Sequence, residues 1–304
     1  MLKKVVGLVL SGMIFFNTCI GVMAEEQKQT LNFQEEKIGI AFAGGGLLGS
    51  YQLGAMRYLR EQGVEITDFD SAIGSSVGSV VLGGLLSQGL DRTTDMMLNL
   101  TSENVYVGKL TSTNCKYYES QLNKMYTAGN NVGTFALLGR GLVKGPLDNT
   151  PMKDLIKSNV NENKILNSGV EVGFCVNSTK SILKPMCKSG VELNGNTSDW
   201  IIASASCWPV FDAHKVNGKA YIDGAYLDRA NSDFLFTQFN CDKIVVLNLM
   251  TGSESENSEN VISINPSCDL GSFLDFNPEH ILRNYRQGYN DCKNYFENNV
   301  DIIK

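Results

Sequence analysis

Two apolar runs near the start of the chain each end in a glycine-rich turn that is followed by a helical pattern. The first run, residues 37–43, leads into glycines at 44–46, and the second, residues 69–73, leads into a turn at 74–78. Strand, helix, strand, helix in this order requires parallel strands joined by helical crossovers. We therefore expect an α/β fold in which both turns lie at the carboxyl edge of the sheet, where the active sites of such folds assemble.

The second turn has the spacing of a nucleophile elbow. Gly74 and Gly78 are the small residues that a sharp strand-to-helix turn needs, and they leave the Ser76 hydroxyl at its apex. The following helix places backbone N–H groups and the positive end of its dipole nearby. A plain Gly/Ser turn is the alternative, because this five-residue pattern also occurs by chance.

The first turn predicts donors for an oxyanion. The backbone N–H groups of Gly44, Gly45 and Gly46 can converge because no side chain obstructs them. Together with Gly49 the same turn also matches the G-x-G-x-x-G pattern of dinucleotide-binding folds. That pattern requires an acidic residue at the end of the second strand, but acidic residues 68 and 70 precede this strand. We therefore expect no dinucleotide, and no other cofactor.

A serine nucleophile also needs a base, and the sequence offers two kinds. Only His214 and His280 are available as imidazoles, and the chain order Ser, Asp, His would suit a triad that ends at His280. A carboxylate is the other option, because Asp223 ends a predicted strand and is followed by Gly224-Ala225. An aspartate in that place can also be a simple turn residue.

Taken in order, these motifs resemble those of the patatin-like phospholipases. The motifs are Gly44-Gly45-Gly46-x-x-Gly49, Gly74-x-Ser76-x-Gly78 and Asp223-Gly224-Ala225. The stretches at 146–152 and 203–211 agree with the same family, so the resemblance covers residues 37–250. Leu48 departs from it by standing where a basic residue is usual. The stretch 228–231 lacks the common Asn-x-Pro, and Ala225 replaces a second glycine.

The resemblance implies a three-layer α/β/α fold with a mostly parallel central sheet. It also implies phospholipase A-type hydrolysis of acyl esters in phospholipids or other lipid esters, at a membrane or micelle surface. Ser76 would be the nucleophile and Asp223 the general base. The glycines at 44–46 would frame the oxyanion hole, with Gly49, Gly224 and Ala225 in support. Two alternatives stay open: a Ser-Asp-His esterase that uses His280, and a catalytically silent lipid-binding module.

The net charge and the cysteine spacing argue against two kinds of ligand, nucleic acid and metal ions. The net charge of −6 argues against nucleic acid, because binding phosphates needs concentrated Lys and Arg. The 8 cysteines include no C-x-x-C motif and no Cys/His cluster, so we expect no metal site. Disulfide pairing cannot be chosen from their spacing.

The start of the chain has the features of an export signal. Residues 1–24 predict a signal peptide, with Lys3 and Lys4 before an apolar run and small residues up to Ala24. An uncleaved anchor is the alternative; cleavage would give a secreted or cell-envelope protein.

A frayed lead-in is expected at 25–36, a catalytic domain at 37–250, and an acidic loop and C-terminal helix on the same domain at 251–304. The segment 133–143 is expected to be core or a lipid-facing lid.

Overall fold

We describe the protein from a computed structural model, for residues 28–108, 147–179, 181–208, 210–251 and 258–304. For residues 181–184 only the backbone is described. The predicted signal peptide and the segment 133–143 lie outside these ranges, so both remain predictions. Among the helices in the described ranges, none is both long enough and apolar enough to cross a membrane.

Strands and helices alternate through most of the described chain. The strands are β1 Gln29–Asn32, β2 Ile38–Phe42, β3 Ser71–Ser75, β4 Glu171–Ser178, β5 Ser181–Ser189, β6 His214–Val216, β7 Lys219–Asp223, β8 Lys243–Leu247, β9 Val261–Ile264 and β10 Val300–Ile303. The helices are α1 Ser50–Glu61, α2 Val77–Gln88, α3 Leu90–Leu98, α4 Ser102–Val105, α5 Thr150–Asn159, α6 Glu162–Leu166, α7 Thr197–Ser204, α8 Asp233–Thr237 and α9 Pro278–Asn299.

The central sheet is mostly parallel, as the alternation predicted. Its strand order is β6-β7-β4-β3-β2-β8-β9, and β5 pairs with β4 beside this path. The five strands from β4 to β9 in this order are parallel to one another. Strands β5 and β7 are antiparallel to β4, and β6 is antiparallel to β7. The carboxyl ends of β2 and β3, which lead into the two glycine turns, therefore lie side by side.

Both faces of the sheet are covered, which confirms the three-layer α/β/α architecture. On β2, Ile40 and Phe42 belong to a core that also contains side chains of α1, α2, α7 and α9. Ala41, between them, belongs to a second core on the other face, together with Leu235 of α8. Every residue of β2, β3 and β8 is buried. Apart from Lys243 at the start of β8, these strands consist of apolar or small residues, because both of their faces are covered.

Helices α1 and α9 pack closely because each presents a glycine to the other. A side chain at Gly54 would collide with the backbone carbonyl of Tyr285, and one at Gly288 with the carbonyl of Tyr51. This contact holds the predicted C-terminal helix against α1.

Three short strands toward the ends of the chain, β1, β9 and β10, were not predicted. Residues 29–32, expected to be frayed, form β1, which pairs in parallel with β10 and buries Leu31. Strand β9 follows the acidic Ser-rich stretch and extends the parallel sheet beyond β8. Each of these strands has only four residues, too few to show a clear period in the sequence.

A tight hairpin formed by β6 and β7 ends at the aspartate motif, and Asp223 ends its strand as predicted. Asn217 and Gly218 both have positive φ, at 50° and 74°, between β6 and β7. This backbone matches the two-residue turns that suit tight antiparallel hairpins. Strand β7 then pairs with the end of β4 and stops at Asp223, close to the end of β3.

Candidate active site

Ser76 lies at the sharp turn between β3 and α2, as the elbow pattern predicted. Its backbone has φ 54° and ψ −125°, a conformation that residues with side chains rarely adopt. A side chain at Gly74 would meet Ser79, and one at Gly78 would collide with the carbonyl of Phe42. The two glycines therefore allow the turn to pack tightly against the sheet while Ser76 faces the site.

The structure brings Ser76 and Asp223 together. The Ser76 hydroxyl donates a hydrogen bond to Oδ2 of Asp223 at 2.5 Å. The other oxygen, Oδ1, accepts the backbone N–H of Ala225 at 2.8 Å. Asp223 can reach Ser76 because of how the strands pair. Strand β7 pairs with the end of β4, and β4 in turn pairs with β3, which leads into the elbow. Within hydrogen-bond reach, this carboxylate can accept the proton of the hydroxyl.

Burial makes Asp223 a stronger base than an ordinary aspartate. The side chain has no exposed surface, and this burial raises its pKa from 3.8 to about 7, while the hydrogen bonds from Ser76 and Ala225 lower it. An ionised carboxylate loses its hydration when it is buried, so protonation becomes easier. At neutral pH, a base with a pKa near 7 is ionised in a large fraction of the molecules and still binds a proton strongly enough to favour its transfer from the hydroxyl.

The first glycine turn lies directly beside the pair. A side chain at Gly44 would collide with Ala225 and would come within 2.9 Å of the Cβ of Ser76. The amide of Gly44 is engaged, because it donates to the carbonyl of Arg229 at 2.8 Å. The amides of Gly45 and Gly46 donate to no other residue in the described ranges. They are the free donors of this turn that could serve an oxyanion.

The remaining motif residues support the site through packing. The contacts that a side chain would make at each glycine show what lies against it: Gly49 faces Val77, Gly46 faces Phe273 and Gly224 faces Cys175. Gly46 also has a positive φ of 57°. Ala225 provides its amide to Asp223, so the alanine in place of a second glycine leaves this backbone contact intact.

Three buried polar side chains of the site were not predicted. Ser204 accepts the backbone N–H of Ser76 at 2.9 Å. The amide group of Asn177 donates to the carbonyl of Asp223 at 2.8 Å, and that of Asn231 donates to Ser75 Oγ at 2.8 Å. Ser204 and Asn231 lie in stretches compared with the family motifs, but spacing alone did not show where these side chains point.

A cavity of about 170 Å³ extends away from Ser76 along α2. One face of this helix lines it at Val77, Val80, Gly84 and Gln88, spaced as residues on one side of a helix are. Side chains from α3 and α5 form the opposite wall, mostly apolar: Met96, Met97, Met152, Leu155 and Ile156. From Val77 to Gln88 the helix rises roughly 16 Å. The cavity is thus a mostly apolar channel that runs along α2 from the nucleophile.

The loop after β9 closes the channel near the glycine turn. Phe273 and Leu274 line the cavity, and the carbonyl of Phe273 accepts the backbone N–H of Leu47 at 2.9 Å. This loop lies beyond residue 250, where the resemblance in sequence ends. Part of the binding surface therefore comes from a segment that the motifs did not indicate.

Both histidines pair with other carboxylates. His280 Nδ1 lies 2.5 Å from Oδ2 of Asp275 and is exposed at the start of α9. His214 Nε2 lies 2.9 Å from Oδ1 of Asp199. Within the described part of the chain, neither imidazole contacts Ser76. No group of three or more potential metal ligands occurs among the described residues either.

The chain is similar to several solved structures at low sequence identity. It is 15% identical to VipD from Legionella pneumophila, with a TM-score of 0.49, covering 87% of this chain and 67% of that one. It is 12% identical to the type III effector protein ExoU, with a TM-score of 0.43, covering 86% of this chain and 53% of that one. A chain from the complex of SpcU with ExoU of Pseudomonas aeruginosa gives 11% identity, a TM-score of 0.38, and coverage of 89% and 53%. The chain thus spans about half the length of ExoU.

Sequence comparison identifies the family more directly. No curated protein sequence matches this chain significantly. The sequence model of the family described as Patatin-like phospholipase matches residues 40–235, which is more than half of the chain. These residues contain the glycine turn, the elbow and the aspartate motif. The chain therefore belongs to the patatin-like phospholipase family, a family of lipid acyl hydrolases.

Proposed function

We propose that this protein is a phospholipase A-type hydrolase that cleaves acyl esters of phospholipids or related lipids through a dyad of Ser76 and Asp223. One observation carries the proposal: the Ser76 hydroxyl donates at 2.5 Å to a fully buried carboxylate. Family membership supports the class of reaction, and the apolar channel beside Ser76 supports an acyl chain as the group that is bound.

Acylation begins when Oγ of Ser76 attacks the ester carbonyl carbon. The hydroxyl proton passes to Oδ2 of Asp223 as the new C–O bond forms. Negative charge then develops on the carbonyl oxygen, where the amides of Gly45 and Gly46 would donate hydrogen bonds. The tetrahedral intermediate collapses with cleavage of the ester C–O bond. The proton held by Asp223 goes to the departing alkoxide, which leaves as a lysolipid alcohol.

Deacylation repeats these steps with water. Asp223, again ionised, accepts a proton from a water molecule as that molecule attacks the acyl-enzyme carbonyl carbon. The second intermediate collapses with return of a proton to Oγ of Ser76, and the fatty acid is released. One carboxylate thus serves as base and then as acid in each half of the reaction, which its pKa of about 7 suits.

The apolar lining of the channel supports an acyl chain as the group that it binds. Its lining side chains lie along one face of α2 and the facing residues of α3 and α5. Transfer of methylene groups from water into such an apolar site contributes about 0.8 kcal/mol for each one that is buried. Short soluble esters would gain less of this binding energy, and we expect them to be poorer substrates than long-chain lipids.

Export is part of the same proposal. Lys3, Lys4, the apolar run and the small residues before Glu25 support a cleaved signal peptide and a secreted or cell-envelope enzyme that acts at a membrane or micelle surface. N-terminal sequencing of the protein from the culture medium tests this. A chain that stays membrane-bound with residues 1–24 attached would contradict export without affecting the proposed chemistry.

Hydrolysis of mixed micelles of phosphatidylcholine and detergent tests the activity. The wild-type protein should release fatty acid and lysophospholipid, and a fluorophosphonate should label it covalently. Ser76→Ala, equally folded by circular dichroism, should do neither. If the wild-type protein bound the micelles but gave neither hydrolysis nor labelling, it would be the silent lipid-binding module. If it gave both, and His280→Ala removed both, the triad with His280 would replace the dyad.

A further inference from the structure

The last residue of α7 and the two residues after it contact both members of the proposed dyad. Ser204, the last residue of α7, accepts the backbone N–H of Ser76 on its hydroxyl oxygen at 2.9 Å. Two residues later, the carbonyl of Ser206 accepts the backbone N–H of Asp223 at 3.0 Å. Residues 204–206 therefore bind the main chain of both the nucleophile and the base.

The Ser204 hydroxyl is itself fixed from several sides. It donates to the carbonyl of Cys175 on β4 at 2.6 Å, and it lies 2.7 Å from the hydroxyl of Ser79 on α2. The side chain has no exposed surface. An oxygen held by two other elements at such distances has one position, so it can hold the amide that it accepts in one position as well.

Ser76 needs such a partner. Its backbone conformation at φ 54° is unfavourable for a residue with a side chain, and it persists only where the surroundings determine it. Its N–H points into the buried side of the elbow, where a donor without a partner would lose the hydrogen bonds that water offers it in the unfolded chain. Ser204 provides the acceptor, and in doing so engages the amide of the nucleophile itself.

We propose that Ser204 is a positioning residue, whose hydroxyl holds the backbone of Ser76 so that Oγ stays within hydrogen-bond reach of Asp223. The main chain of Ser206 holds Asp223 from the same segment, so residues 204–206 set the spacing of the dyad. The inference rests on the proposed function, because it assigns a purpose to the contact between Ser76 and Asp223. It also leaves Gly45 and Gly46, rather than Ser76, as the amides available to an oxyanion.

Ser204→Ala removes the acceptor and tests the role. A displacement of reacting groups by about 1 Å can cost on the order of 100-fold in rate. We expect kcat for a long-chain ester to fall roughly 10- to 100-fold, with KM little changed. Covalent labelling of Ser76 by the fluorophosphonate should slow by a similar factor. Ser204→Cys, close in volume but a weaker acceptor, should fall in between, and provides a folded variant should alanine unfold the protein.

Ser87→Ala is the matched control. Ser87 is also buried, and its hydroxyl accepts a backbone N–H, that of Asn161, at the same distance of 2.9 Å. It lies at the far end of α2 from Ser76. Both substitutions remove a buried hydroxyl that accepts a backbone N–H, so both should lower Tm. Ser204→Ala should lower it more, because it also removes the contacts with Cys175 and Ser79. Only Ser204→Ala should lower kcat.

The pH profile separates positioning from stability. The hydrogen bond from Ser76 lowers the pKa of Asp223 against the larger effect of burial. If Ser76 moves away, the pKa of Asp223 rises, and the acid limb of kcat/KM moves to higher pH. A folded Ser204→Ala or Ser204→Cys with wild-type kcat and an unshifted acid limb would overturn the inference. So would an equal loss of kcat in Ser87→Ala. A wild-type protein without hydrolysis or labelling would overturn the proposed function first, and this inference with it.

Discussion

Asp223 and Asp291 are both buried carboxylates that accept a hydrogen bond from a hydroxyl, in two different parts of the molecule. At the sheet edge, Ser76 donates to Asp223 at 2.5 Å. Between α1 and α9, the phenol of Tyr51 donates to Asp291 at 3.1 Å. Each pair joins two elements that are distant in sequence. The pairs differ in what else surrounds the carboxylate.

Asp291 is the more fully hydrogen-bonded carboxylate. Besides Tyr51 it accepts the backbone N–H of Ser267 at 3.0 Å and the side-chain amide of Gln287 at 2.8 Å. The Tyr51 phenol stays a donor, because burial and then the nearby Asp291 raise its pKa above the usual range for tyrosine. This network connects the C-terminal helix to α1.

Asp223 has fewer donors, and one of them is the group that reacts. Apart from Ser76, its carboxylate accepts only the amide of Ala225 among the described residues. Burial therefore dominates and raises its pKa to about 7. The same type of contact can therefore serve two purposes. A carboxylate with several donors connects elements of the fold, whereas burial with few donors raises the pKa of a carboxylate and makes it a better base.

The largest effect is expected from removing the nucleophile. Ser76→Ala should lower kcat by roughly a thousandfold or more, and adding Asp223→Asn to it should lower kcat hardly further. Residues that act in one step give such non-additive losses, because either change alone already removes the step. Single-turnover measurements on all three variants check this. Losses that multiply would mean that the two side chains act separately.

Asp291→Asn should have the opposite pattern. It replaces one carboxylate oxygen by an amide nitrogen and so removes an acceptor from a buried group of hydrogen bonds. The free energy of unfolding should therefore fall by about 1–3 kcal/mol. The kcat per folded molecule should stay at the wild-type level, because the site is unaffected. Urea unfolding combined with active-site titration separates the two quantities. A fall in kcat comparable to that of Asp223→Asn would show that the two regions are not independent.

Stability should respond to pH through Asp223. Because the folded-state pKa of about 7 lies above the ordinary 3.8, the folded protein retains a proton that the unfolded chain has released. Stability from this group is therefore lost as pH rises between these two values. Asp223→Asn should be more stable than the wild type at pH 8, by on the order of a few kcal/mol, with the difference shrinking toward pH 4. An equal difference in Tm at both pH values would contradict the raised pKa.

The smallest effect is expected at the histidine that the sequence offered as a rival base. His280 pairs with Asp275 on the surface, so His280→Ala should leave kcat/KM within a few-fold of the wild type. A soluble short-chain ester is the suitable substrate, since it reports on chemistry rather than on lipid binding. A loss on the order of a thousandfold in the folded variant would favour a triad.

Much of the site could be predicted because its residues follow strands. The order of apolar runs and glycine turns predicts parallel strands, and the carboxyl ends of β2 and β3 bring Gly44 and Ser76 to one edge. Asp223 reaches the same edge from β7, which is antiparallel to β4. Ser204 could not be assigned a role in this way, since its importance depends on where one hydroxyl points on a helix of small residues. Phe273 was missed because it reaches the channel from a loop with no regular pattern.

The chain ends were the least predictable part of the fold. Strand β1 exists because it pairs with β10, almost the whole length of the chain away. Leu31 is the one fully apolar residue of its four, so the local sequence carries little trace of the pairing. Such contacts depend on the assembled domain rather than on local propensity.

Turnover by Asp223→Asn tests the central proposal most directly. Asparagine keeps the shape of the side chain and can still contact Ser76, but it cannot accept the hydroxyl proton. If Asp223 is the base, the folded variant should lose roughly a thousandfold or more in kcat with a soluble ester at pH 8, and should resist phosphonate labelling. If it kept kcat within about tenfold of the wild type, Asp223 would be a turn residue, and the base would have to be sought elsewhere.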